Sequence, residues 1–219
     1  MRKFMSRVLP GGVALAIVSL AAAAASPPLY ENDFQSDEIG KPPAGMLVLG
    51  GGFAVRADGD QKFLELPGTP LEDYGVLFGP AQTNDVAVTA RIFGTGKGRR
   101  YPAFGVGLGG VNGFKLRVSP GKKALELHKG DTEVQRVPFD WQSGQWTRFH
   151  LQLRESPAGE SVVEGKAWTE GTPEPAEWLI LHIERTPPRP GRAALWGAPY
   201  ADTPIRYDDL RLTRAVPTP

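Results

Sequence analysis

The sequence predicts an all-β protein built as a sandwich of two antiparallel sheets, on two observations. After residue 29, apolar and polar residues alternate with a period of two, and no window of 11 or more residues has a helical period. Short apolar runs recur roughly every 8–12 residues with glycine or proline between them, as expected for strands joined by turns.

The alternation also indicates where the strands lie. Apolar residues occupy positions 86, 88, 90 and 92, whereas Thr89 and Arg91 take the opposite face. Strands that are apolar on one face and polar on the other are typical of antiparallel sheets with one face in water. On this pattern we expect strands at 53–57, 62–66, 76–78, 85–93, 104–108, 113–119, 125–128, 134–139, 148–153, 162–168, 178–183, 193–196 and 205–212.

The first 25 residues have the three-part pattern of a secretory signal peptide. Basic residues stand at positions 2, 3 and 7, the stretch 8–20 is uncharged and largely apolar, and the alanines at 23–25 fit the small-x-small cleavage rule. A membrane anchor is the alternative, but the apolar run is rich in alanine and shorter than the roughly 20 strongly apolar residues of a spanning helix. We therefore expect a secreted or periplasmic protein with no membrane insertion after cleavage. The predicted organisation is a signal peptide at 1–25, a single domain at 26–214 and a tail at 215–219.

The mature chain is expected to be close to neutral. The full sequence has 25 Lys+Arg and 24 Asp+Glu, so removal of the three basic residues of the signal leaves 22 against 24, a net charge of −2. Such a surface gives no electrostatic reason to expect nucleic acid or an anionic membrane as a partner. Because the sequence has no cysteine, a hydrophobic core, with or without a metal ion, has to stabilise the domain without disulfides.

Four short motifs are spread over residues 30–212. They are Y-E-N-D-F at 30–34 followed by G-K-P-P at 40–43, G-Q-W at 144–146, G-K-A-W at 165–168, and Y-D-D-L-R-L at 207–212. Together they resemble motifs of concanavalin A-like jelly-roll domains, specifically the laminin-G-like and family 16 glycoside hydrolase-like domains of secreted bacterial proteins. The resemblance implies a two-sheet jelly-roll sandwich over nearly the whole mature chain. Because these motifs are structural, they say little about function.

The acidic motif of the hydrolytic relatives is absent. Family members that cleave β-glucans carry E-x-D-x-x-E on one strand, and retaining hydrolysis needs two carboxylates about 5–5.5 Å apart. The nearest approach is Glu31-Asn32-Asp33, where Ser36 stands in place of the second glutamate. The sequence also has no cysteine and no G-x-S-x-G nucleophile motif. We therefore predict no catalytic residues.

Two of the three histidines, His150 and His182, are expected on the polar faces of their strands. Scattered histidines on such faces are usually solvated, because a zinc site needs three or four converging ligands. A site that joins both histidines to a carboxylate would require adjoining strands, which the spacing of the residues does not indicate.

A structural calcium ion is one interpretation of the acidic residues near the two ends of the domain. Asp208 has the same parity as Leu210 and Leu212, so we expect it on the core side of the last strand. A carboxylate buried there has to be paired, hydrogen-bonded or bound to a metal. The resemblance implies a Ca²⁺ site that contains Glu31, Asp33 and Asp208, and oxygen ligands suit this cation. The alternative is that Asp208 caps backbone amides or pairs with an arginine.

Aromatic and basic residues form the predicted ligand-binding set. A pyranose has an apolar C–H face that stacks on an aromatic ring and a polar rim that needs hydrogen bonds. Residues of both kinds are expected in loops, on the polar face of strands and at a hairpin tip. The loop positions are Trp141, Trp196, Tyr200 and Tyr101, the strand positions are Trp168 and Trp178, and the hairpin positions are Arg99 and Arg100.

The leading hypothesis is a non-catalytic, lectin-like carbohydrate-binding domain of an exported protein, with a glycan or polysaccharide as its partner. One alternative is a glycoside hydrolase or lyase on the same fold, which predicts two carboxylates facing each other across a groove. The other is a structural or adhesion module of the cell envelope, which predicts a flat apolar patch. For any single tryptophan, packing at an edge of the sandwich competes with ligand binding. The sequence does not indicate an oligomeric state.

Overall fold

The computed structural model describes residues 26–68, 72–200 and 203–215. The predicted signal peptide at 1–25 and residues 216–219 of the predicted tail lie outside the described residues. In this part of the chain, 15 β-strands form two antiparallel sheets, and a 3-10 turn at Pro120–Lys122 is the one helical element. No helix of the described part is long and apolar enough to cross a bilayer. The predicted all-β, two-sheet sandwich is confirmed.

Sheet A contains eight of the described strands, including both the first and the last. They are β1 (Tyr30–Asn32), β3 (Ala54–Asp58), β4 (Gln61–Leu66), β6 (Val86–Phe93), β11 (Trp146–Glu155), β12 (Ser161–Thr169), β13 (Ile180–Glu184) and β15 (Ile205–Arg214). Their order is β13-β12-β11-β6-β15-β4-β3, and β1 pairs with β15. The ends of the domain therefore lie side by side.

Sheet B contains the other seven described strands. They are β2 (Leu47–Val48), β5 (Tyr74–Gln82), β7 (Ala103–Leu108), β8 (Phe114–Ser119), β9 (Ala124–Lys129), β10 (Thr132–Pro138) and β14 (Gly191–Ala198). Their order is β10-β9-β8-β7-β14-β5-β2. Strands distant in sequence thus lie side by side at the centre of the sheet, where β14 pairs with both β5 and β7.

The core lies between the two sheets and follows the predicted alternation. In β11, Phe149, Leu151 and Leu153 are buried, and the residues between them point out of the sandwich. Burial of one such side chain contributes about 1.5–3 kcal/mol relative to leaving it exposed. Tyr207 is also fully buried, and its hydroxyl donates to the backbone carbonyl of Trp196 at 3.2 Å, which satisfies its polar atom.

The last strand contains a β-bulge that the alternation did not predict. Asp209 has a φ of 52°, and the register of β15 against β6 shifts between Asp208 and Arg211. An extra residue in a strand reverses which side chains face the core. Leu210 is therefore buried in the core, whereas Asp208 lies beside Arg91 on the outer face, so the predicted core-side orientation of Asp208 is wrong.

The faces of β13 are also the reverse of the prediction. Ile180 is buried, and the ring of His182 lies 6.1 Å from that of Phe114, whereas Leu181 and Ile183 are exposed on the outer face. A period of two shows which residues share a face, but not which face meets the core. The pairing of β13 with β12 decides this, and it corrects the placement of His182 on a polar face. His150 does lie on the outer face of sheet A, as predicted, beside Trp178.

Candidate functional site

The outer face of sheet B carries a tryptophan between glycines. Trp196 of β14 pairs with Gly75 of β5 on one side and with Gly105 of β7 on the other. A Cβ atom added to Gly75 would lie 2.6 Å from the six-membered ring of Trp196, and one added to Gly107 would lie 2.8 Å from its Nε1. Any side chain larger than glycine at position 75 or 107 would therefore collide with the indole. We call the surface formed by these four residues the Trp196 face.

Two basic side chains of β8 extend across the Trp196 face. The Nζ atom of Lys115 lies 3.9 Å from the centroid of the Trp196 ring, a cation–π contact. Arg117 donates to Asp73, just before β5, at 3.0 Å, although β7 and β14 separate β8 from β5 in the sheet. Lys115 and Arg117 pair in register with glycines of β7, so both side chains can pass over β7 toward the strands beyond it. Because of this cover, Trp196 is only 8% exposed.

Beyond these cations lies a buried glutamate. Glu126 accepts hydrogen bonds from Ser119 at 2.8 Å and from His128 at 3.1 Å, and Lys122 lies 2.8 Å from its second oxygen. Burial opposes its ionisation, but the hydrogen bonds from Lys122, His128 and Ser119 outweigh that cost and lower the pKa of Glu126 to about 2. The carboxylate is thus a fixed negative charge that orders the polar side of the Trp196 face.

Glu126 also belongs to a group of possible metal ligands. Its ligand atom, that of His128 and that of Glu133 all lie within 4.8 Å of one another. Lys122 contacts both carboxylates, and Arg136 donates to Glu133 at 2.7 Å. These two cations already neutralise the cluster and would repel a bound metal ion, so the arrangement fits an ion-pair network and not a metal site.

The opposite side of the Trp196 face is apolar. Leu47 of β2 is 52% exposed and pairs with Leu77, and Leu49, which follows β2, is 41% exposed. The outward positions between the two sides are held by small residues, such as Ala194 and the glycines of β7. The face therefore has one charged side and one aliphatic side, with the indole between them.

Four of the predicted ligand-binding residues lie at one end of this face. The guanidinium of Arg100 lies 5.4 Å from the ring centroid of Tyr200, which follows β14. Tyr101 precedes β7 and is 42% exposed, and Arg99 lies exposed in the turn closed by the bridge from residue 97 to Arg100. Because Ala103 of β7 pairs with Ala198 of β14, the two tyrosines extend the same pair of strands that carries Trp196.

The other three predicted residues lie elsewhere. Trp141 packs against the core with its ring edge-on to Phe104, at 5.9 Å. Trp178 contacts His150 edge-on at 4.9 Å and lies 4.6 Å from the Nζ atom of Lys166, on the outer face of sheet A. Trp168 is half-buried on that face, where it pairs in register with Arg148. The structure therefore does not bring all eight residues into one site.

The outer face of sheet A is dominated by ion pairs. Arg91 contacts Asp208 at 2.6 Å and Glu170 at 3.3 Å, and Arg148 contacts Glu170 and also Asp209, at 3.3 Å. Burial raises the pKa of Asp208, although its hydrogen bonds from Arg91 and from the amide of Asp209 oppose this. Both guanidinium groups thus hold carboxylates on neighbouring strands. We call this surface the ionic face.

A polar pocket of about 520 Å³ opens beside the ionic face. It is lined mainly by charged and hydroxyl-bearing side chains of β1, β6, β11 and β15. These residues are Glu31, Asn32, Asp33, Ser36, Thr89, Arg148, Asp209, Leu210 and Arg211. No aromatic side chain lines it, so it lacks a stacking surface for a sugar ring.

The three predicted calcium ligands do not share one coordination site. Glu31 pairs with Arg211 at 3.3 Å, and a carboxylate oxygen of Asp33 accepts from the backbone amide of Gln35 at 3.1 Å. Asp208 instead accepts from Arg91. Among the described residues, these three are not a group of converging ligand atoms. The structure thus matches the alternative interpretation, in which an arginine neutralises Asp208.

The residues that sequence reasoning missed are those that build the Trp196 face. Lys115 and Arg117 fall within the predicted strand 113–119, and the glycines at 105 and 107 within the predicted strand 104–108, but none of them was among the predicted binding residues. The sequence did contain a signal for this face, namely glycines at every second position of one strand followed by basic residues at every second position of the next. It could not be used without knowing that β7 lies between β8 and β14.

Comparisons with known proteins establish the fold. The sequence matches no family model and no curated protein. The carbohydrate recognition domain of Emp46p, whose structures include metal-free and potassium-bound forms, matches with a TM-score of 0.59 and 10% identity, over 86% of this chain and 98% of that chain. A protein of unknown function with a galectin-like fold from Bacillus subtilis matches with a TM-score of 0.56 and 12% identity, over 89% and 99%.

A third solved structure is equally similar. It comes from work on endo-acting O-glycanases of the human gut microbiota that initiate mucin breakdown, and it matches with a TM-score of 0.58 and 12% identity, over 87% of this chain and 100% of that chain. At such identities the likeness concerns architecture and not activity. The chain therefore has the galectin-like, concanavalin A-like β-sandwich that is also the fold of carbohydrate-recognition domains.

Proposed function

We propose that this protein is a non-catalytic, lectin-like domain that binds a glycan on the Trp196 face. The observation that carries the proposal is the position of Trp196, which lies flat over glycines, with charged side chains on one side and exposed leucines on the other. A sugar ring needs this combination of an aromatic surface and a polar rim.

Binding would require Lys115 to leave the indole. Its ammonium covers the ring at 3.9 Å, and its neighbouring carboxylate, Asp131, is fully exposed at 3.5 Å. Lys115 itself is only 13% exposed, so leaving the ring loses a largely desolvated cation–π contact of about 1–2 kcal/mol together with the ion pair. The C–H face of the sugar would take its place on Trp196, and stacking together with hydrogen bonds from the freed ammonium to sugar hydroxyls would offset this cost.

Tyr200 and Tyr101 support a site for more than one sugar unit. They extend the strands that carry Trp196, and the Arg100 side chain lies against Tyr200. A chain of sugars that follows β14 would meet the indole first and these rings next. We therefore infer an oligosaccharide or polysaccharide ligand, and not a monosaccharide.

The wider context of the proposal rests on the sequence. The three-part pattern of residues 1–25 supports export to the periplasm or the exterior. The motifs at 30–34, 144–146, 165–168 and 207–212 support a laminin-G-like or family 16-like type of domain within the observed fold.

The test is calorimetric titration of the purified protein with a panel of glycans, alongside the Trp196→Phe variant. A smaller ring keeps the site apolar but removes stacking area, so we expect affinity for the bound glycan to fall about tenfold, or about 1.4 kcal/mol. Trp178→Phe on the ionic face is the matched control and should bind like the native protein. No binding by the native protein at millimolar glycan would remove the proposal.

The same panel separates binding from catalysis. Each glycan is incubated with the protein at high concentration, and new reducing or unsaturated ends are measured. A steady release of ends, abolished by removing one carboxylate, would show a hydrolase or lyase on this fold. Unchanged glycans that still bind would support the lectin-like function.

A further inference from the structure

The strand β13 forms one end of sheet A. It pairs with β12 on one side only, and within the described residues no other strand continues the sheet beyond it. Every second backbone N–H and C=O group of such an edge points away from the sheet and can pair with another strand. Natural proteins usually protect edges of this kind with charged side chains or proline.

The outer face of this edge is apolar instead of charged. Leu181 and Ile183 of β13 are 52% and 50% exposed, and Leu179, which directly precedes the strand, is 36% exposed. Pro175 and Pro187 flank the segment and limit an added strand to the residues between them. The structure thus presents a short, exposed apolar edge with a defined start and end.

Residues of opposite charge lie at equal distances in the sequence on the two sides of Leu181. Leu181 is the centre: Leu179 and Ile183 lie two residues away on either side, and Glu177 and Arg185 lie four residues away. Glu177 is exposed, and the Arg185 side chain is 89% exposed with Glu160 at 3.6 Å. If a second copy of this segment paired with it in the antiparallel direction, apolar residues would face apolar residues and Glu177 would face Arg185.

We propose that the protein forms a two-fold symmetric homodimer by antiparallel pairing of β13 with β13 of a second copy, centred on Leu181. In this register Leu181 packs against its own symmetry mate and Leu179 against Ile183 of the partner copy. Glu177 faces Arg185 of the partner copy, and symmetry produces this ion pair twice. The two A sheets then form one continuous sheet, and the Trp196 faces stay free on both copies because they belong to sheet B.

The charges select this register over its neighbour. A pairing centred on His182 would place Leu179 opposite Arg185 of the partner copy, and Glu177 would have no basic residue opposite it. Cross-strand pairs of apolar residues or opposite charges each contribute roughly 0.2–1 kcal/mol. Only the register centred on Leu181 collects both kinds of pair.

Sedimentation velocity of the purified protein over a series of concentrations tests the proposal. We expect a reversible dimer, and Leu181→Lys should raise its dissociation constant at least about tenfold by placing like charges at the two-fold axis. Ile39→Lys is the matched control, because Ile39 is also 52% exposed but lies outside β13, and it should leave the constant unchanged. Circular dichroism confirms that each variant is folded. A native protein that stays monomeric at all concentrations would overturn the proposal.

A charge exchange distinguishes self-pairing in this register from any other association. Glu177→Arg and Arg185→Glu should each weaken the dimer, because each places like charges opposite one another twice. The double variant restores both ion pairs with reversed polarity and should return the dissociation constant to within about twofold of the native value. A double variant as weak as the single ones would refute the register and the proposed dimer.

Discussion

The two outer faces of the sandwich fill the space above their central strands in different ways. On the ionic face, Arg91 and Arg148 stand on neighbouring strands, and each holds carboxylates from other strands. On the Trp196 face, the corresponding positions of β7 are glycines, and the indole of Trp196 lies in the space that they leave. One face is therefore closed by paired charges and the other by an aromatic ring with two basic side chains across it.

The difference teaches where a ligand can be accommodated. A ligand on the ionic face would have to replace ion pairs with a carboxylate that is fully buried, which is costly. A ligand on the Trp196 face has to displace Lys115 and Arg117. The carboxylates that pair with these two cations are exposed, unlike Asp208. Low exposure alone does not separate the faces, because Trp196 itself is only 8% exposed.

The largest expected effect concerns the ionic face. Arg91→Met removes the guanidinium that lies 2.6 Å from the fully buried Asp208, and a buried charge that loses its partner costs about 3–5 kcal/mol. Urea unfolding at pH 7 measures the loss. Arg211→Met is the control, because the pair between Arg211 and Glu31 is exposed and should contribute at most about 1 kcal/mol. Equal effects of the two variants would show that the ionic face is solvated like an ordinary surface.

The fold was predictable because its signal is local. Alternation of period two is visible within a few residues, and β6 and β11 follow it without interruption. The bulge at Asp209 was not predictable, because a residue with positive φ is accommodated there by the pairing of β15 with its neighbours. One such residue was enough to misplace Asp208.

The candidate site was less predictable because its parts are distant in the sequence. Trp196 was chosen as an exposed aromatic residue in a loop, whereas it lies in β14, beside residues some 80 to 120 positions earlier. The order of the strands in the sheet therefore decides which side chains lie together. The alternation of residues along a single strand gives no information on that order. The tyrosines and arginines near the strand ends were easier to select, because turn residues reveal their setting.

The next effect concerns the glycines of the Trp196 face. A Cβ atom at Gly105 would lie 1.9 Å from the backbone oxygen of Leu116, so Gly105→Ala has to displace β8 and should cost about 3 kcal/mol. Gly121→Ala is a matched control, since a Cβ atom there has no neighbour within 4 Å. Denaturant unfolding compares the two, and glycan titration of the folded fraction shows whether the face survives. A tolerated alanine at 105 would mean that β7 and β8 are not held this closely.

A pH-dependent effect tests the buried charge beside the Trp196 face. The folded-state pKa of Glu126 is lowered to about 2, below the usual 4.5, so its contribution is fully present above pH 4.5 and is lost as the pH falls toward 2. Glu126→Gln should cost about 2 kcal/mol at pH 7, because it removes hydrogen bonds to a charged group. The difference between variant and native protein should shrink between pH 4.5 and pH 2. A cost that does not change with pH would show that packing and not charge makes Glu126 stabilising.

The smallest expected effect is that of a chelator. Because Asp208 accepts from Arg91 and from Gln61 at 2.9 Å, and Glu31 pairs with Arg211, the acidic residues of the two terminal strands already have partners within the protein. A cation that binds the folded state raises its melting temperature by mass action. We therefore expect EDTA, and Ca²⁺ added after it, to shift the melting temperature by less than about 1 °C, well under the roughly 2–4 °C that 1 kcal/mol produces in a domain of this size. A larger stabilisation by Ca²⁺ than by Mg²⁺ would instead mean that the ionic face rearranges around a metal ion, and it would remove the contrast between the two faces.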